Sequence, residues 1–283
     1  MIPWPNRAFA SPDLTLDTVS DSSPHPTAED IERTFDHPLV KGTRPIAQGG
    51  LMLLQWALQF GWTCEGLGRL RAIDGPFILA ANHTSHADTQ AILSVLPSRL
   101  RNRTCVAAAQ DTFGAASEIH SLKDIQKTAV EFAVASAFRA FAFDRRGSPL
   151  RSLRTAIELV DHGWNLLIYP EGTRSRTGIP GEFKPGIGLL AKKTGVPVVP
   201  VRVTGSNEIL PPGSTVPRPE TAHVAFGAPL KLEDGEDTRE FPGRLREAVL
   251  SLRTEPRPRP DRFRILARHV YRSVAQRISE FDS

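Results

Sequence analysis

A chain of 283 residues, 40% hydrophobic and 23% charged, can bury a sizeable core, which excludes a disordered or collagen-like protein. Two cysteines, Cys64 and Cys105, are too few for a disulfide framework, so a reducing compartment is expected. The net charge of +4 conceals an asymmetry: residues 1–40 carry two Arg against seven acids, and residues 239–283 carry eleven Arg against six. A basic body suits an anionic partner such as nucleic acid, phospholipid or a phosphorylated metabolite.

Residues 1–37 are rich in Pro, Ser and Asp and are expected to form an acidic disordered tail. No charged start leads into an apolar run and cleavage site, so no secretory signal is expected. No internal repeat is present, and nothing in the sequence sets an oligomeric state.

Residues 38–75 read as an amphipathic segment at a membrane interface. Within it, 45–64 contain no charge, yet Gln48, Gln55 and Gln59 sit seven and four apart on one helical face. Leu51, Leu54, Leu58 and Trp62 line the other face. A spanning helix needs about 20 predominantly apolar residues, so an interfacial helix fits better than a span. A helix packed on its own domain is the alternative.

From residue 76 strands and helices alternate. Strands are expected at 77–82, 104–109, 140–143, 165–169, 196–203 and 223–226. Helices are expected at 87–95, 124–138, from Pro149 behind a Ser148 cap, and near 186–194. Leu150, Leu153, Ile157 and Val160 form an apolar stripe on the third of these, and Gly163 ends it. The two prolines of Val196–Val203 argue for an edge or irregular strand. The pattern predicts a mixed α/β catalytic domain over 76–230, its sheet largely buried between helices. Residues 231–283 read as a helical extension. A final helix at 261–281 carries Phe263, Leu266, Val270, Val274 and Ile278 beside the basic row Arg264, Arg268 and Arg272. That helix suits either an anionic membrane surface or docking on the core.

Three stretches leaving strands carry chemistry. In Asn82-His83-Thr84-Ser85-His86-Ala87-Asp88, the imidazole of His83 can accept a proton from a hydroxyl near neutral pH, and Asp88 can fix its tautomer. On a regular helix residues five apart diverge by about 140°, so the two meet only if His83 lies on the turn before the helix. His83, His86 and Asp88 are also metal-ligand types, but no second such cluster supports a metal site. In Tyr169-Pro170-Glu171-Gly172-Thr173-Arg174-Ser175, Gly172 permits close backbone approach, and Thr173 and Arg174 suit phosphate. Glu171 can orient Arg174 or the loop backbone. Lys184 adds a cation before a helix start. Arg145, in Phe143-Asp144-Arg145-Arg146, leaves a strand that releases its loop at the same edge.

These stretches, with the apolar-Pro block at 196–201, resemble the glycerolipid acyltransferase family, whose type member acylates 1-acylglycerol-3-phosphate. The first block, Asn-His-x-Ser-x-x-Asp, is matched by Asn82, His83, Ser85 and Asp88, and the third is matched completely by Tyr169 to Ser175. In the second, Ala140 stands where the family usually has Gly. The resemblance covers about residues 75–230 and implies a glycerol-3-phosphate acyltransferase-like fold. It also implies that His83 acts as general base, oriented by Asp88. Arg145, Glu171, Gly172, Thr173, Arg174 and Lys184 would then form the acceptor's phosphate site. The acyl donor would be acyl-CoA or acyl-carrier protein, a substrate rather than a cofactor; no cofactor and no metal is implied. The expected acceptor is lysophosphatidic acid, at the cytoplasmic face of a membrane. Glycerol-3-phosphate, another lysolipid, or hydrolysis by a thioesterase or lipid hydrolase remain as alternatives. Nucleic acid is not an expected partner, because the basic C-terminal residues lack interleaved aromatic platforms.

Overall fold

The structure is a computed structural model and describes residues 26–58, 60–109, 138–143, 149–175, 178–211, 214, 216–233 and 235–252. Among the described residues seven strands form one sheet: β1 (Gly61–Glu65), β2 (Ile78–Ala81), β3 (Thr104–Ala109), β4 (Ala140–Phe143), β5 (Asn165–Ile168), β6 (Val198–Thr204) and β7 (Thr221–Phe226). Their spatial order is β1-β7-β6-β2-β5-β3-β4. Strands β2 to β6 run parallel, β7 is antiparallel to β6, and β1 is parallel to β7. The sheet is therefore mixed and, as the alternating pattern predicts, buried between helices.

One face packs on helices Ala28–Asp36, Pro149–Asp161, Gly186–Thr194 and Phe241–Ser251 through Ile31, Phe35, Leu153, Leu159, Leu190 and Leu245. The other packs on helix Ala87–Val95 through Ala91, Ile92 and Leu93. The helix after β2 thus covers one face, and the helices before and after β5 cover the other. The chain leaves these two neighbouring strands in opposite directions, which opens a crevice beyond their carboxyl ends, where α/β sheets hold their ligands.

Several sequence expectations change. The acidic tail does not extend to residue 37, because Ala28–Asp36 is a helix. A reciprocal cap between Thr27 and Asp30 starts it, and Ala28, Ile31 and Phe35 at helical spacing bury one face. Glu32 accepts a 2.6 Å hydrogen bond from the Trp164 indole, and Phe35 meets the Trp164 ring edge-on at 5.5 Å. Glu29 and Asp30 occupy its first turn, where they complement the helix dipole.

The uncharged stretch 45–64 is not one helix. Helix Pro38–Leu58 ends within it, and Trp62 lies on β1. Among the described large apolar side chains of that helix Leu39, Ile46, Met52 and Leu53 are exposed, whereas Leu58 is buried. The sheet therefore begins at residue 61, ahead of the expected domain boundary at 76, and helix Phe241–Ser251 joins the core beyond residue 230.

Strand β6 lies inside the sheet, between β7 and β2, despite its prolines. Its pairing with the antiparallel side shifts by one residue between Val198↔Leu230 and Val201↔Phe226. Pro200 sits at that shift, where its carbonyl still accepts from Gly227 N–H at 2.8 Å and the missing donor leaves no gap in a regular ladder. On helix Pro149–Asp161, Leu150 is exposed, and Ala156 and Leu159 bury with Leu153 and Val160. The expected helix over 124–138, apart from its last residue, the Ser148 cap and the helix over 261–281 lie outside the described residues.

Phe35 is the deepest large side chain of the first helix, so Phe35→Ala removes most of its buried anchor. A loss of about 3 kcal/mol in urea-unfolding free energy is expected. An unchanged midpoint would mean that this helix does not share the core.

Candidate active site

Strand β2 ends at Ala81, and the next residue joins it to β6. The Asn82 side chain donates to Val203 O at 2.9 Å and accepts from Val203 N–H at 2.7 Å, replacing one rung of the sheet with an amide. The chain can then turn away at His83. Helix Ala87–Val95 begins four residues later, so His83 lies on the entering turn and faces Asp88 across it.

Asp88 is fully buried. Its Oδ2 accepts from Thr84 N–H at 2.7 Å and from Ser85 N–H at 2.9 Å. The same oxygen lies 2.8 Å from His83 Nδ1. A carboxylate can only accept, so Nδ1 carries the hydrogen and Nε2 keeps the lone pair. The His83 side chain retains 20% exposure, enough to meet a ligand while its partner stays dry. Thr84 Oγ1 lies 3.0 Å from Ser206 Oγ, and Ser85 Oγ donates to Leu210 O at 2.8 Å, which moors the turn to the segment after β6.

The loop after β5 supplies the opposite wall. Tyr169 stacks on His83 with ring centroids 4.1 Å apart, and its hydroxyl lies 2.7 Å from Thr89 Oγ1. Burial, and next the charge of Asp88, push the Tyr169 phenol well above its ordinary pKa, so it stays neutral.

Glu171 orients backbone rather than Arg174. Its Oε1 accepts from His83 N–H at 2.8 Å and its Oε2 from Gly181 N–H at 2.8 Å. Burial pushes its carboxyl pKa up, and the two amides act against that rise. Ser175 N–H donates to His83 O at 2.8 Å and closes the loop on the same residue. Gly172 has φ +69°, and a Cβ there would lie 2.9 Å from Lys184 Cε, so the lysine stem crosses the space that only glycine leaves. Thr173, Arg174 and Lys184 are exposed. Desolvation, and next the Arg174 charge, hold the His86 pKa below the usual imidazole value.

Of the residues singled out in the sequence, hydrogen bonds join His83 to Asp88 and to Glu171, Lys184 packs against Gly172, and Thr173 and Arg174 are exposed on the same loop. Arg145 lies outside the described residues. Among the described residues, no group of three His, Cys, Asp or Glu side chains is arranged to hold a metal ion. Tyr169, Thr89 and Asn82 carry roles that spacing did not indicate. An aromatic residue closing a strand was the visible hint for Tyr169, and Thr89 had none.

The Acyltransferase family model matches residues 61–204, half of the chain. The chain belongs to the acyltransferase family. It is 32% identical over 151 residues to a chloroplastic 1-acyl-sn-glycerol-3-phosphate acyltransferase of Brassica napus, covering 53% of this chain and 39% of that relative. It is 31% identical over 151 residues to a chloroplastic enzyme of the same name from Arabidopsis thaliana, covering 53% of this chain and 38% of that one. The match thus spans well under half the length of these relatives. Among solved structures, the 1-acyl-sn-glycerophosphate acyltransferase PlsC from Thermotoga maritima superposes with a TM-score of 0.53 at 24% identity, covering 77% of this chain and 80% of that one. That likeness establishes the fold of this acyltransferase-family chain.

In Glu171→Gln an amide NH₂ replaces one acceptor oxygen, and it must face a backbone N–H. The lost acceptor leaves a buried donor unpaired, so thermal unfolding should show a loss of about 1–3 kcal/mol. Wild-type stability in this variant would show that the carboxylate does not hold the two loops together.

Proposed function

We propose that this chain transfers a fatty acyl group from acyl-CoA or acyl-carrier protein to the free hydroxyl of 1-acylglycerol-3-phosphate, giving phosphatidic acid. The observation that carries the reading is the His83–Asp88 pair at 2.8 Å, its Nε2 left with a lone pair at the mouth of a crevice. The family and the names of its relatives support the choice of substrates.

In this mechanism His83 Nε2 takes the proton of the acceptor hydroxyl as its oxygen attacks the thioester carbonyl. Asp88 stabilises the imidazolium that forms. The tetrahedral adduct collapses, the carbon–sulfur bond breaks, and His83 returns the proton to the departing thiolate. An ester and a free thiol result, with no acyl-enzyme. The cysteines suit a bystander role: burial pushes the Cys105 thiol up to about 12 and raises that of Cys64.

Arg174, Thr173 and Lys184 receive the acceptor's phosphate, with Arg145 beside them by family resemblance. Glu171 and Gly172 shape the loop that carries these groups. No helix among the described residues is long and apolar enough to cross a membrane. The exposed Leu39, Ile46, Met52 and Leu53 on helix Pro38–Leu58 support contact with a membrane surface, where the lysophospholipid acceptor is concentrated, and the cytoplasmic side is the one we propose.

Purified protein, labelled palmitoyl-CoA and a panel of acceptors, read by lipid chromatography, test the reading. Labelled phosphatidic acid formed only with lysophosphatidic acid is the expected result. Label in the glycerol-3-phosphate product reassigns the acceptor, and free fatty acid released regardless of acceptor makes the chain a hydrolase. His83→Ala should remove transfer by about 10²–10⁴-fold while the fold persists, and near-normal activity would remove the base from the mechanism. Arg174→Ala should raise the acceptor KM about ten-fold, the loss expected for one charge-assisted contact. An unchanged KM would place the phosphate elsewhere.

A further inference from the structure

We infer that Tyr169 and Thr89 are positioning residues for the His83 base: the Tyr169 ring lies flat against the imidazole and stabilises its protonated form, and Thr89 holds that ring in place. The inference rests on the acyl-transfer reading of His83 and deepens it.

The Asp88 hydrogen bond grips one edge of the imidazole, through Nδ1, and leaves the ring free to swing about that contact. A face contact removes this freedom. The Tyr169 ring supplies one, with centroids 4.1 Å apart and planes only 20° from parallel. The phenol is fixed in turn, because its hydroxyl lies 2.7 Å from Thr89 Oγ1. Asp88 and Thr89 are consecutive residues in the first turn of helix Ala87–Val95. One holds the imidazole and the other the phenol, so both rings are set by a single rigid helical turn.

The contact also has an electrostatic sense. When the imidazole takes a proton, a cation forms above the negative face of an aromatic ring, an attraction that a neutral imidazole does not share. Burial keeps the phenol neutral, so no ionised oxygen disturbs that face. The other charged groups around the imidazole are Asp88 at its edge, Glu171 on its backbone N–H, and His86 and Arg174 along the same crevice. None of them contacts the ring face that Tyr169 covers, so substitution of Tyr169 alters the face contact while the Asp88 and Glu171 hydrogen bonds remain.

The test uses the full chain with isotope-labelled histidine, the His83 titration followed by NMR beside the pH–rate profile. In Tyr169→Leu the His83 signals should titrate about half a pH unit lower, the acid limb of the rate profile should move with them, and kcat should fall at least three-fold. Tyr169→Phe keeps the aromatic face, so its titration should coincide with wild type. Its kcat should fall with KM unchanged, and Thr89→Val should behave alike. Because these two changes delete the same hydrogen bond, the double variant should lose no more than either single one.

A Tyr169→Leu titration that coincides with wild type overturns the inference, as does a Tyr169→Phe titration displaced as far as that of leucine. If Tyr169→Leu does not fold, the Phe and Val pair decides, and additive losses overturn the proposal. A wild type that transfers no acyl group, with titrations still ordered as expected, defeats the acyl-transfer reading and leaves the ring contact standing. Active wild type with coincident titrations defeats the ring contact alone.

Discussion

Asp88 Oδ2 gathers the donors of three successive residues, the imidazole of His83 and the amides of Thr84 and Ser85, around one fully buried oxygen. A carboxylate taken out of water is costly unless its acceptor capacity is used, and here two peptide dipoles and one ring N–H use it. The same contacts bend the chain so that a histidine preceding a helix faces a residue inside it. Turn shape, tautomer and counter-charge all derive from this atom. When the imidazole gains a proton, the buried carboxylate gains a full positive partner without any atom having to move far.

Glu171 performs the corresponding task between loops. Its two oxygens receive amides of residues that lie 88 positions before it and 10 after it. The turn after β2 and the loop after β5 are thereby fastened through a side chain that carries no reaction step. Exposed Thr173, Arg174 and Lys184 can then vary in rotamer while the backbone beneath them stays fixed to the His83 amide. A loop anchored in this way leaves its exposed side chains mobile and the imidazole fixed, which suits the proposed division between binding an acceptor and deprotonating it.

Much of the sheet was legible because its strands are short apolar runs bounded by turn residues, and helix Ala87–Val95 begins and ends where the pattern places it. The failures have definite causes. The uncharged run 45–64 joins the end of a helix to the edge strand β1, and composition does not change at the join. Acidic residues around Ile31 and Phe35 masked a four-residue apolar spacing. The prolines of β6 implied an edge or an irregular strand, and the second holds: a one-residue shift in pairing admits Pro200 inside the sheet. The His83–Asp88 meeting was readable because both residues belong to one turn. The Tyr169–His83 stack was not, since it requires β5 to lie beside β2, a fact of topology rather than of local spacing.

The Asn82 clasp on Val203, residues 121 apart in the chain, gives one letter of the sequence motif an architectural meaning. Its amide must offer a donor and an acceptor at the distance of a peptide unit: aspartate lacks the donor, and glutamine is one methylene too long. Because the amide bears no charge, acid and salt leave this seam as strong as they find it, unlike the carboxylate joins on either side. The crevice therefore has one margin that solvent conditions do not loosen. A motif written as a string of reactive letters contains, at its first position, a piece of the sheet.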